Sequence, residues 1–335
     1  EDKATRAALR HEAAEITLTH LSDPRGAEER FVRALEADPN HLPSQRRLAG
    51  LYREQGDILR AAKLLQEAAG RSPNRLEKTR CLSEAADAYA SVGETAKAID
   101  LYQQALSEDP ELAEAGEALV DLLLQEKRPG EAVPVLEMLA RKTSDRDEQL
   151  GWLNKLGVAL RESGDKARAL RTFARATELA ETDLTAQRNR AELLTAEAHH
   201  QGARDAWLAV LKHGRDQLSA GEVVEVLYAI GACERSLGHN AEARDFLQRA
   251  LELDPAHRPS LRALIELGDS AGLTKEAQID LRRALLPAAE GDERVKLLTE
   301  IGKLQATALQ DAEGALQTFA EALQLLPDSH TLLHE

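Results

Sequence analysis

Residues 42–73, LPSQRRLAGLYREQGDILRAAKLLQEAAGRSP, decide how this chain is read. Leu48, Ala49 and Tyr52 share one face of a helix, Gly56 punctuates it, and Ala61, Leu65 and Ala68 share the face of a second helix that Pro73 stops. The next unit repeats the pattern as Ala85, Ala86, Tyr89, Gly93, Ala98, Tyr102, Ala105 and Pro110. With the first Ala of each second helix as a marker, Ala27, Ala61, Ala98, Ala132, Ala169, Ala203, Ala243, Ala277 and Ala315 give nine units. Their spacings of 34, 37, 34, 37, 34, 40, 34 and 38 alternate between short and long, so the chain reads as tandem copies of a two-repeat block.

Small residues belong where two helices cross closely, Gly supplies a positive-φ cap between them, and Pro stops the second helix. On these residues the chain resembles the tetratricopeptide repeat family, whose 34-residue unit sets a small residue in the first helix, Ala twice in the second, and Pro after it. Two units carry the pattern in full: Leu153, Leu156, Gly157, Leu160, Gly164, Ala169, Phe173, Ala176, and Leu227, Ile230, Gly231, Gly238, Ala243, Leu247, Ala250, Pro255. The resemblance covers the whole chain and implies an all-α, right-handed superhelical solenoid of about nine repeats. Their boundaries fall near 1–41, 42–75, 76–112, 113–146, 147–183, 184–220, 221–257, 258–290 and 291–327, with 328–335 opening a further helix.

Repeats 4 and 6 are expected to be the least regular. Repeat 4 has Val120 where Gly or Ala is usual and Lys127 for the turn Gly; repeat 6 has Arg190 at an apolar place and His199-His200-Gln201 in its turn. The extra residues of the long units precede every second first helix, as at 144–149 and 291–294, and should lengthen that helix or reshape its entry loop. Residues 2–14 align with 290–302, which makes the first unit a long one. Both terminal units read as having an enlarged turn, at 22–26 and 310–314.

Among 335 residues, 58 acidic against 43 basic side chains give a net charge of −15, which disfavours non-specific attraction to nucleic acid or anionic membrane. No run of 18 apolar residues is present, so no direct membrane insertion is expected. Cys81 and Cys233 are far apart and have no metal-ligand spacing; such sparse use fits a reducing, cytoplasmic compartment. The start at Glu1 rather than Met suggests a fragment, and the Ala/Arg/Leu-rich usage hints at a bacterial genome.

No motif for a nucleophile, metal or phosphate survives a structural explanation. His11-Glu12 is followed by Glu15 rather than a second His, and no glycine-rich loop follows a strand. The expectation is a non-enzyme with no cofactor, whose partner is a protein or peptide.

The resemblance also implies that first helices line a concave groove. It places Arg46, Arg47, Arg53, Asp87, Glu117 and Asp121 there, followed by Asn154, Arg161, Arg188, Asn189, Glu192, Tyr228, Arg235, Arg262 and Glu266. Arg161, Arg188, Arg235 and Arg262 form a candidate basic line suited to carboxylates, with Asn154, Asn189 and Tyr228 beside it, unless Glu192 and Glu266 neutralise it. The clamp of Lys and Asn used by chaperone-binding relatives is not matched, since Glu84 stands where Asn belongs. The leading expectation is an interaction scaffold in a signalling, polarity, motility or secretion assembly. Two others are a recognition arm of a larger enzyme or signalling protein, and end-to-end self-association through uncapped terminal repeats.

Overall fold

The computed structural model describes residues 2–325 and is all-α, with eighteen α-helices and no strand among them. The segment from Asp328, read above as a further helix, lies outside the described residues. The helices divide between two compact units, Glu1–Asp165 and Lys166–Glu335. The first holds α1 (Lys3–His20), α2 (Pro24–Ala37), α3 (Leu42–Glu54), α4 (Ile58–Arg71), α5 (Arg75–Ser91), α6 (Thr95–Glu108), α7 (Ala113–Gln125), α8 (Pro129–Lys142) and α9 (Arg146–Glu162). The second holds α10 (Lys166–Leu179), α11 (Leu184–Ala196), α12 (His200–His213), α13 (Ala220–Ser236), α14 (Asn240–Leu253), α15 (Arg258–Leu267), α16 (Lys275–Leu285), α17 (Gly291–Thr307) and α18 (Ala312–Leu325). Within each unit, successive helices pack as antiparallel hairpins that stack on one another. None of these helices is long and apolar enough to cross a membrane.

One backbone feature sets the register of every hairpin. The residue five before each marker alanine has positive φ: Gly56, Gly93, Gly164, Gly238 and Gly272, but also Ser22, Lys127, Ala198 and Gln310. In the seven inner repeats its N–H reaches the carbonyl three residues back and the next N–H the carbonyl five back, whereas in repeats 1 and 9 the next N–H reaches six back, from Asp23 to Thr17 and from Asp311 to Gln305. Gly56 N bonds Arg53 O at 3.1 Å and Asp57 N bonds Tyr52 O at 2.8 Å, and the same pair recurs at Lys127–Arg128 and Ala198–His199. These bonds satisfy the last carbonyls of the first helix and force the left-handed conformation whatever the side chain. His199 therefore caps α12 and His200 begins it, outside the turn proper.

Repeats 4 and 6 are regular, contrary to expectation: α7 and α8, like α11 and α12, run 13 and 14 residues, as α3 and α4 do. Val120 is fully buried at its crossing, and Lys127 and Ala198 accept the positive φ. Repeat 8 is the irregular one. Its helices shrink to 10 and 11 residues, with 3-10 turns at Gly268–Ala271 and Leu286–Ala288, and its marker Ala277 is only half-buried. Ile265 there holds the place of Ala49, Ala86, Gly157 and Gly231, too bulky for a close crossing, and Gly268 at φ 46° ends α15 early. The enlarged turns expected of the terminal repeats are present: Asp23 N and Asp311 N bond the carbonyls of Thr17 and Gln305, six residues back rather than five, and the two aspartates cap the second helices through Gly26 N at 3.0 Å and Gly314 N at 2.9 Å.

The length alternation has a simple origin. First helices α1, α5, α9, α13 and α17 run 17 or 18 residues, whereas α3, α7 and α11 run 13. The added residues form one more helical turn, about 6 Å at 1.5 Å per residue. Caps from Asn74, Asp145 and Ser219 start three of the long helices, the last as a full capping box with Glu222.

Lys127→Gly and Ala198→Gly are each expected to raise unfolding free energy by about 0.5–1 kcal/mol, since relief of left-handed strain exceeds the glycine entropy cost. Gly231→Ala should lower it by about 1–3 kcal/mol, because its Cβ would sit 2.8 Å from Leu247 Cγ and 3.3 Å from the Ala243 carbonyl. Denaturant melts of the three variants check both signs.

Candidate protein-binding face

The side chains expected to line a groove sit on first helices, and most of them are engaged. In the second unit Arg188 Nη2 donates to Glu222 Oε1 at 3.0 Å, Arg235 donates to Glu266, and Arg262 Nη2 donates to Glu293 Oε1 at 2.6 Å. Each bond joins the first helix of one repeat to that of the next. Asn189 Nδ2 donates to its own helix at Thr185 O, 2.9 Å away, Glu192 is exposed on the same helix, and Tyr228 meets His257 edge-on at 5.6 Å. The second-unit arginines are thus a ladder of ion pairs, with Glu266 neutralising Arg235 as weighed above. In the first unit Asn154 and Arg161 are half-buried on α9, Lys155 pairs with Asp121 at 3.4 Å, and Arg47 pairs with Glu15 at 2.9 Å.

Arg188 and Arg262 both lie fifteen residues before their marker alanine, on short first helices. Their partners Glu222 and Glu293 lie in the first turn that the following long helix adds. Ser219 N–H, then Arg188, then the Ser219 hydroxyl hold the Glu222 carboxyl down to about 2. The extra turn thus supplies the acid that receives the preceding arginine. Arg46 and Glu77 occupy the same two places in repeats 2 and 3, yet they do not pair. Arg46 Nη2 turns instead to Glu84 Oε1 at 2.7 Å, and Arg46 Nε and Glu77 Oε2 are shielded from solvent with no hydrogen-bond partner. A cavity of about 410 Å³ lies beside them, lined by His11, Glu15, Leu42, Pro43, Arg46, Arg47 and Glu77. On the other flank of α5 a second cavity of about 440 Å³ is lined by Leu76, Thr79, Arg80, Ser83, Glu84, Asp87, Leu112 and Glu114.

Below the first cavity runs a chain that the sequence reading overlooked. Ser44, fully buried, has its Oγ 3.1 Å from His11 Nδ1 and 2.8 Å from His41 Nδ1. Ser44 N–H also points at His41 Nδ1, so that nitrogen is an acceptor and the hydroxyl donates to it, which leaves His11 Nδ1–H to donate to the hydroxyl. Burial first, and the neighbouring His11 second, push the His41 ring below the usual imidazole range against an upward pull from Asp38. The second unit repeats the device: His257 Nδ1 lies 2.8 Å from Ser260 Oγ. The signal was the shared His-x-Pro-Ser at 41–44 and 257–260, hidden among ten scattered histidines.

Among the described residues no three His, Cys, Asp or Glu side chains converge as metal ligands would, and both cysteines are buried free thiols. Stacked helical hairpins with a charged, cavity-bearing first-helix face define the class of α-helical repeat proteins. Tetratricopeptide repeat models match residues 21–75, 89–153 and 224–257, and the chain is a multi-repeat tetratricopeptide protein. No curated protein matches it. Solved structures similar to it include YrrB, described as a TPR protein with an unusual peptide-binding site, at 22% identity, TM-score 0.44, covering 60% of this chain and 98% of that one. The C-terminal part of a TPR repeat-containing protein from Cytophaga hutchinsonii is similar at 16% identity, TM-score 0.47, covering 76% and 99%. MamA from Desulfovibrio magneticus RS-1 is similar at 17% identity, TM-score 0.36, covering 65% and 97%. Repeats of this family support the reading of a protein-interaction scaffold.

The depressed His41 ring implies a pH dependence. Unfolded, His41 takes its proton near 6.5; folded, it does so at lower pH, so stability is fully present above 6.5 and is lost as pH falls through the folded value. Melting temperature should therefore drop more between pH 7.5 and 5.5 in the wild type than in His41→Asn, as differential scanning calorimetry would read.

Proposed function

We propose that this chain is a protein-binding scaffold that presents the first-helix face of its stacked hairpins to a peptide, a helix or a folded partner. The observation that carries the reading is the pair of cavities flanking α5, set on rigid helices and lined by charged side chains beside Leu76, which is 73% exposed. In the second unit, Tyr228 and the arginines of the ladder are proposed contacts as well, with Asn189 and Glu192 beside Arg188. Their ion pairs are partly exposed and worth about 0–1 kcal/mol each, so a partner carboxylate can displace the resident glutamate at little cost. Asn154 and Arg161 are the corresponding proposed contacts of the first unit.

A pull-down from the native cell with the tagged chain tests this. Combined Arg188→Glu and Arg235→Glu should reduce the captured protein about tenfold. Arg30→Glu, an exposed reversal of the same sign on the second helix α2, should leave it unchanged. Equal loss with Arg30→Glu, or no protein held by the wild type, refutes the scaffold reading.

A further inference from the structure

The two cavities described above border α5, and together they carry a distinct chemical signature. On one flank the Arg46–Glu77 pair, which its counterparts Arg188–Glu222 and Arg262–Glu293 make, is open. A guanidinium Nε–H lacks an acceptor there and a carboxylate oxygen lacks a donor. A buried polar atom left unpaired costs about 1–3 kcal/mol, so a group that offers one donor and one acceptor side by side is favoured at this place. A peptide unit of an extended main chain is such a group, with its C=O for Arg46 and its N–H for Glu77 once the two side chains turn out into the cavity they line.

On the other flank the cavity has an excess of negative charge. Glu84, Asp87 and Glu114 face one guanidinium of their own, Arg80, and the excess persists when Arg46, which reaches Glu84, is counted. Glu84 is shared by those two arginines, and the Tyr102 hydroxyl donates to Asp87 Oδ1, which leaves the other Asp87 oxygen for a further donor. Glu114 has no ion pair among the described residues. Ser83 Oγ, in the wall of the same cavity, is shielded from water without a partner. At the rim Leu76 exposes 73% of its surface. Lysine and arginine lay aliphatic stems along apolar surface and keep a donor-rich head in a polar place, which is what an exposed leucine beside unpaired acceptors accommodates.

We propose that α5 is the centre of a docking site for an extended basic segment of a partner protein. Its main chain lies between Arg46 and Glu77, and one lysine or arginine side chain runs over Leu76 to Glu114, with Asp87 farther along α5 adding to the negative field. The inference rests on the scaffold reading above and names the chemistry of the partner. Charge complementarity selects the occupant: the cavity repels an acidic segment and leaves an apolar one with unpaired acceptors.

Selection of random heptapeptides displayed on phage against the whole immobilised chain tests it. The expected result is a set of peptides with lysine or arginine at one shared position. Synthetic copies should bind about tenfold more weakly to Glu114→Lys and to Leu76→Gln, both exposed substitutions, and be unaffected by Glu36→Lys on α2. Glu77→Gln should weaken every selected peptide alike, and methylating one backbone nitrogen next to the basic residue should mimic it. Peptides without a shared basic residue, or indifferent to Glu114→Lys, overturn the inference while the scaffold reading survives, because such peptides still bind the chain. An empty selection also overturns it, and the pull-down then decides the scaffold reading separately. N-acetyl-arginine amide binding as tightly as the peptides would overturn the protein segment as occupant.

Discussion

Close crossing of the two helices of a hairpin favours a small residue at the crossing, up to the Val120 of repeat 4, and needs a chain reversal within a few residues. That steric constraint organises everything else. The tight reversal leaves the last carbonyls of the first helix to be satisfied by N–H groups three and five residues on, or six in repeats 1 and 9, which requires one left-handed residue. The marker alanine follows five residues later in every repeat, so turn and crossing are a single unit. Where a crossing residue is bulky and a glycine falls early, as at Ile265 and Gly268, the hairpin shortens and breaks into 3-10 turns.

The alternation of helix lengths builds electrostatic contacts on that frame. A long first helix begins one turn earlier than a short one and so brings an acidic residue beside the preceding short helix. The acid also suits the positive end of its own helix dipole, and Glu222 combines capping with the bond to Arg188. The same construction at repeats 2 and 3 is diverted by Glu84, which draws Arg46 along α5 and leaves Glu77 behind. One extra carboxylate in reach thus converts a structural contact into an open polar position beside a cavity.

The fold was legible because a repeat multiplies its own signal: the marker alanine is read nine times, and a small crossing residue and a turn residue stand before it in most repeats. Departures were less legible. Lys127 and the His199-His200-Gln201 run read as breaks in the pattern, but the turn is dictated by backbone hydrogen bonds and accepts Lys127 and Ala198 at a modest cost in strain. Repeat 8 looked ordinary because its marker alanine and glycines are present, while the bulk of Ile265 matters only once two helices must cross. The candidate site was legible by face and not by state. First helices did present Arg188, Arg235 and Arg262, yet their carboxylates lie 31 or 34 residues away, beyond any helical spacing rule.

By itself the sequence determined the helical period, the hairpin register and the two-repeat block, since these follow from local sterics and from patterns that recur within about 40 residues. Only the tertiary structure decided that the added residues lengthen a helix rather than a loop, that the arginines are already paired, and that Arg46 and Glu77 are not. Each of those outcomes depends on which of several reachable partners a long side chain meets when neighbouring repeats stack, a choice among near-equal exposed ion pairs that no sequence spacing encodes.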